Sequence, residues 1–143
     1  MAEASQKKEN ALFTNSFSSI SSDDIEKARD FHANTLGINV AKEQESLSIT
    51  LPGGAAMFIY PKDNHEPATF TVLNFNVDDI DIAVDELKTR GVEFESYTGD
   101  IETDEKGIHR GADKGEGPNI AWFKDPAGNI LSVIEEKRLK HAR

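Results

Sequence analysis

The chain has 143 residues, the size of one domain, with 37% apolar residues and no cysteine. Disulfides, thiolate nucleophiles and Cys-ligated zinc or iron–sulfur centres are therefore excluded. Sixteen Lys and Arg against 26 Asp and Glu give a formal charge of −10, which argues against nucleic-acid or anionic-membrane partners, since phosphate neutralisation needs a basic face.

Residues 1–10 are polar and lack the apolar stretch of a secretory signal, so they read as a flexible N-terminus of a cytoplasmic protein. No apolar run approaches the roughly 20 residues of a membrane-spanning helix. Phe13 to Ile20 reads as a strand. Asp23 with Glu26 has capping-box spacing, and Ile25, Ala28 and Phe31 step at helical spacing toward a stop at Gly37. Strands follow over Ile38 to Ala41, Leu47 to Leu51 and Ala55 to Tyr60, the last two joined by Pro52-Gly53-Gly54.

The same order then recurs. Phe70 to Val77 alternates as a strand, Asp78 and Asp79 open a helix striped by Ile80, Ala83, Val84 and Leu87, and Gly91 closes it. Val92 to Tyr97 reads as the next strand. Ile120 to Lys124 and Ile130 to Glu135 flank the turn Asp125-Pro126-Ala127-Gly128-Asn129. Asp23-Asp24-Ile25 reappears as Asp78-Asp79-Ile80, so two βαβββ units stand in tandem. The second carries an insertion of about twenty residues over 98–117, a length that marks either a solvated flap or a functional lid with Ile108, His109 and Arg110 as its contacts.

The tandem plan, the helix start Asp24-Ile25-Glu26-Lys27-Ala28 and the segment Ala121 to Leu131 with its Asp-Pro-Ala-Gly-Asn turn resemble the vicinal oxygen chelate superfamily. This is the glyoxalase, bleomycin-resistance and extradiol-dioxygenase group. The resemblance implies an α+β fold: two tandem βαβββ units forming one domain with a curled mixed sheet around a cleft. The domain would span 11–136, with unit one over 11–62 and unit two over 68–136, and a basic tail over 137–143. Homodimers fit the resemblance too.

Active members of that group hold a divalent metal through His, Glu or Gln on the first and last strands of each unit. Here the matching positions are Phe17, Val72 and Ser132, and the strand Ala55 to Tyr60 has no imidazole, carboxylate or carboxamide. None of these replaces an O or N ligand set for a divalent cation. The histidines do not supply the missing ligands: His32 reads as half-buried packing, His65 lies in the linker, His109 in the long loop and His141 in the tail. The expectation is no metal and no cofactor.

Strand alternation puts Asn15, Phe17 and Ser19, then Val72, Asn74 and Asn76, then Ile130, Ser132 and Ile134 on the cleft side. Ile20, Leu73, Phe75, Val77, Leu131 and Val133 would pack under the helices. Such a cleft is apolar with a few neutral hydrogen-bonding groups, which suits an organic ligand, although small polar residues there could equally face trapped water. The ligand-binding candidates are Asn15, Phe17, Ser19, Val72, Asn74, Asn76, Ser132 and Ile134, and no catalytic residue stands out. The leading expectation is a metal-free protein that binds a small organic molecule. The alternative is a metal-dependent lyase, isomerase or dioxygenase-like enzyme with ligands from unusual positions such as His109, and a third is a protein-interaction module.

Overall fold

The computed structural model describes residues 12–136. The N-terminal segment 1–10 and the basic tail 137–143 expected from the sequence lie outside the described residues. Unit one runs β1 (Ser18–Ser22), α1 (Ile25–Asp30), a wide helical turn over Phe31–Thr35, β2 (Asn39–Glu43), β3 (Ser46–Thr50) and β4 (Ala56–Pro61). Unit two runs β5 (Thr71–Val77), α2 (Ile80–Thr89), β6 (Ile108–Arg110), a short helical turn over Gly111–Lys114, β7 (Asn119–Lys124) and β8 (Ile130–Glu135). Each unit is one four-stranded mixed sheet, in the order β1-β4-β3-β2 and β5-β8-β7-β6. In each sheet the edge strand β1 or β5 runs parallel to its neighbour, β4 or β8, and the other pairs are antiparallel. The fold is α+β, and the two sheets do not close into a barrel.

Local chemistry explains where the helices start. In α1 the cap is Asp24 rather than Asp23, because the Ser22 hydroxyl accepts the Asp24 N–H and holds that residue extended. The Asp24 carboxylate then accepts from Lys27 N at 3.1 Å, while Glu26 pairs with Lys42 instead of closing a capping box. Asp79 repeats the same cap for α2 by accepting from Ile82 N. Gly37 and Gly91, with φ of 72° and 96°, end the two helical segments in the left-handed region.

Two sequence expectations shift. The first strand begins at Ser18, so residues 13–17, including Asn15 and Phe17, precede it. The segment 92–97 is not a strand: Phe94 makes a single bridge to Phe123, because β6 occupies the remainder of that edge of β7, pairing with Asn119 to Ala121. The stretch 98–117 is correspondingly not one long loop, since it delivers β6.

The cores follow the alternation. Leu131 and Val133 are buried with Ile80, Val84 and Phe123 under α2, joined by Leu73, Phe75 and Val77. Leu47, Ile49, Met57 and Ile59 are buried under α1, with Ile20 beside them. Leu73 packs against both clusters, and Phe31 and Leu36 of unit one enter the core of unit two. The units therefore share an interior. No helix among the described residues is long and apolar enough to cross a membrane.

Candidate functional site

Helices cover one face of each sheet, so the chemistry lies on the other face and in the gap between the edge strands. Within β4, Met57 and Ile59 are buried while Phe58 and Tyr60 point the other way. Phe58 meets the ring of Phe17, with centroids 5.4 Å apart, although Phe17 remains 62% exposed. Ser19 on β1 and Ser46 and Ser48 on β3 share this face. Sheet one thus offers three aromatic rings, Phe17, Phe58 and Tyr60, among hydroxyl groups.

Sheet two is built around Trp122. Register sets Asn74 opposite Ser132 and Ser132 opposite Trp122, while Asn76, Ile134, Ile120 and His109 form the neighbouring row. The indole N–H of Trp122 donates to the Thr71 hydroxyl at 3.1 Å, so the ring reaches from β7 to β5 and crosses β8 above Ser132. Ser132 is consequently 0% exposed, and its hydroxyl donates to the Asn74 side-chain oxygen. Tyr97 meets Trp122 edge to face at 5.4 Å, and His109 lies 6.4 Å from it. Burial, with Glu95 nearby, pushes the Tyr97 phenol up.

Between β1 and β5 lies a cavity of about 410 Å³, bordered by Ser18 to Ser21 on one side and Phe70 to Val72 on the other. Its floor is a polar clasp. The Ser21 hydroxyl bonds His65 Nδ1 at 2.6 Å, and His65 Nε2 donates to the Ala127 carbonyl at 2.9 Å. Because that carbonyl can only accept, Nε2 carries the proton and Nδ1 accepts from Ser21.

Residues 15–133 match the family described as the Glyoxalase/Bleomycin resistance protein/Dioxygenase superfamily. The chain belongs to this superfamily. Solved structures share its fold. TnmS3, an antibiotic binding protein from Streptomyces sp. CB03234, is 20% identical with a TM-score of 0.62, covering 90% of this chain and 100% of that one. A superfamily member from Sphaerobacter thermophilus DSM 20745 is 27% identical at TM-score 0.62, covering 88% of this chain and 100% of that one. A glyoxalase family protein from Enterococcus faecalis is 20% identical at TM-score 0.62, with 87% and 98% covered. No curated protein matches the chain.

The residues at the superfamily's metal positions do not fit a metal. Phe17 packs on Phe58, Val72 borders the cavity, and Ser132 lies sealed and bonded to Asn74. Among the described residues no three His, Asp or Glu side chains converge as a ligand set. Of the unusual ligands considered from sequence, His109 is held through one ring nitrogen and the nearby Asp104 carboxylate is already engaged. His109 Nδ1 bonds the main-chain oxygen of Glu102 at 3.0 Å. The Asp104 carboxylate accepts from Arg110 and from the N–H groups of Lys106 and Ile108.

The residues singled out by alternation are only partly gathered. Val72 and Ser19 border the inter-unit cavity, while Asn74 and Asn76 are exposed on the open face of β5 and Ile134 is half-buried. Asn15 is exposed ahead of β1, and Ser132 is out of reach. Ile108, His109 and Arg110 are not a loop tip: Ile108 is fully buried in the core and Arg110 turns to the helix side, where Asp81 and Asp104 bind it. Only His109 faces the open side. Phe58 and Tyr60 were missed, although alternation against Met57 and Ile59 is the signal that finds them. His32 is not half-buried but fully buried, with neither ring nitrogen hydrogen-bonded.

Proposed function

We propose that this superfamily member binds a small organic molecule, without a metal ion, in the cleft between its two units. The reading rests on one observation: the helix-free faces carry aromatic rings and neutral amides where a metalloenzyme of this group needs converging N and O ligands. Rings beside a few hydrogen-bonding groups hold organic ligands by stacking and orient them by polar contacts. That the fold also serves an antibiotic binding protein supports the same reading. On it, Phe17, Ser19, Val72, Asn74 and Asn76 contact the ligand alongside Phe58, with Asn15 and Ile134 at the margins. Ser132 acts only by holding Asn74.

A homodimer belongs to this reading, since Phe13, Phe17 and Phe70 expose large apolar side chains, the last at the border of the cavity.

A thermal-shift panel of aromatic and drug-like compounds tests the binding, because a ligand at 100 times its Kd adds about 2.7 kcal/mol. A binder whose shift disappears in Phe58→Ala is the expected result. Elemental analysis of protein purified without chelator tests the metal. About one equivalent of Zn, Fe, Ni or Mn per chain, with an activity that chelation abolishes, overturns the metal-free reading and favours an enzyme.

A further inference from the structure

Among the described residues His109 is the one imidazole on the open face of sheet two, and its surroundings fix which nitrogen donates. β6 pairs His109 with Ile120, on the same side as Trp122 and away from Ile108, which enters the core. The Nδ1 atom lies 3.0 Å from the main-chain oxygen of Glu102, an acceptor with no proton to give, so Nδ1 carries the hydrogen. In the neutral ring Nε2 is then left with a lone pair.

No hydrogen bond engages Nε2 among the described residues. The fully buried polar atoms without a partner are both in His32, so Nε2 of His109 keeps an opening although the residue is only 6% exposed. The His109 ring lies 6.4 Å from the Trp122 ring, which is itself braced by Tyr97 and tied to Thr71. The segment leading to His109 is braced as well, since the Thr103 hydroxyl accepts the Tyr97 N–H at 2.9 Å. A rigid acceptor beside a rigid aromatic wall is preorganised, and preorganisation removes ordering cost from binding.

We propose that Nε2 of His109 accepts a hydrogen bond from a ligand hydroxyl while the ligand ring stacks on Trp122, so that the bound class is a neutral planar aromatic bearing an O–H group. This rests on the small-molecule reading above and makes it specific. A neutral imidazole lone pair prefers an acidic O–H over an ether, which offers no proton. The net charge of −10 disfavours the anionic counterparts.

Trp122 is the single tryptophan, so its emission reports this corner. The probes are 2-naphthol and 2-methoxynaphthalene, matched except for the hydroxyl proton. Full-length wild type is expected to bind 2-naphthol about tenfold more tightly than the ether, and His109→Phe to lose that preference. Nitrogen-15 NMR of wild-type imidazoles supplies a readout independent of any variant. His109 should be the Nδ1–H tautomer, with an Nε2 resonance that moves on adding 2-naphthol but not the ether. Equal affinity for both compounds, or an Nε2–H tautomer, overturns the assignment while leaving small-molecule binding intact. If neither compound perturbs Trp122 up to its solubility, the assignment fails, and the thermal-shift panel decides separately whether the cleft binds anything.

Discussion

The side-chain amide of Asn129 donates to the main-chain oxygen of Ser21 at 3.1 Å, joining the last turn of unit two to the first strand of unit one. The same amide donates to Asp125, whose other carboxylate oxygen accepts the N–H groups of Ala127 and Asn129. His65 holds the turn from the linker side through Ser21 and Ala127. The Asp-Pro-Ala-Gly-Asn turn therefore works as a clasp beside the cavity, in addition to linking β7 with β8.

Asn129→Ala should cost about 1–3 kcal/mol, because it leaves the half-buried Ser21 main-chain oxygen and a buried Asp125 oxygen short of a donor. Urea unfolding measures it. Combined with His65→Ala, a double-mutant cycle should return a coupling of about 0.5 kcal/mol or more, since both side chains brace one turn. Strict additivity would mean the two contacts act apart.

His32→Leu should leave stability unchanged or raise it by about 1 kcal/mol. The wild-type ring buries two nitrogens without hydrogen bonds, with Nε2 still 4.0 Å from Asp125, and leucine removes that desolvation penalty. A clear drop in the urea midpoint would show that the imidazole's proximity to Asp125 supports the clasp after all.

Phe123→Ala should cost about 3–5 kcal/mol. The ring is fully buried and meets Phe94 at 5.5 Å and Phe31, from unit one, at 6.3 Å. Since it serves a shared interior, the variant should still unfold in one step at a lower midpoint. Two separated transitions would show that the units are energetically independent.

Acid should weaken the anchorage of β6 on α2. The hydrogen bonds from Arg110 and then Lys106 hold the Asp81 carboxyl far below the usual carboxylate range. At Asp104 burial pushes upward, but the Ile108 N–H, Arg110 and the Lys106 N–H together bring that carboxyl down. A carboxylate depressed in the fold stabilises it above the unfolded pKa of about 3.9 and loses that contribution as pH falls through the folded value. Wild type should therefore exceed Asp81→Asn in urea midpoint at neutral pH, with the gap narrowing below about pH 4 and shrinking in high salt. A gap that stays constant down to about pH 2 would rule out the charge as its source.

Much of the fold was legible because it rests on short-range rules. Alternation in Leu73, Phe75 and Val77 against Asn74 and Asn76 separates core from open face before any neighbour is known, since successive strand residues must point to opposite sides. Asp24, Asp79, Gly37 and Gly91 bound the helical segments through contacts a few residues away. The family's specific turn was legible too, though its partner across 108 residues was not.

By itself the sequence determined the repeat and the core-facing side of strands such as β5 and β8, both of which depend on residue type and local spacing. The tertiary structure alone decided that Ile108–Arg110, rather than 92–97, takes the free edge of β7, since two segments competed for one set of backbone partners. It also decided that Trp122 seals Ser132 and that Glu102 fixes the His109 proton. Those outcomes depend on which distant atoms share a few ångströms of space, and only a closed chain sets that.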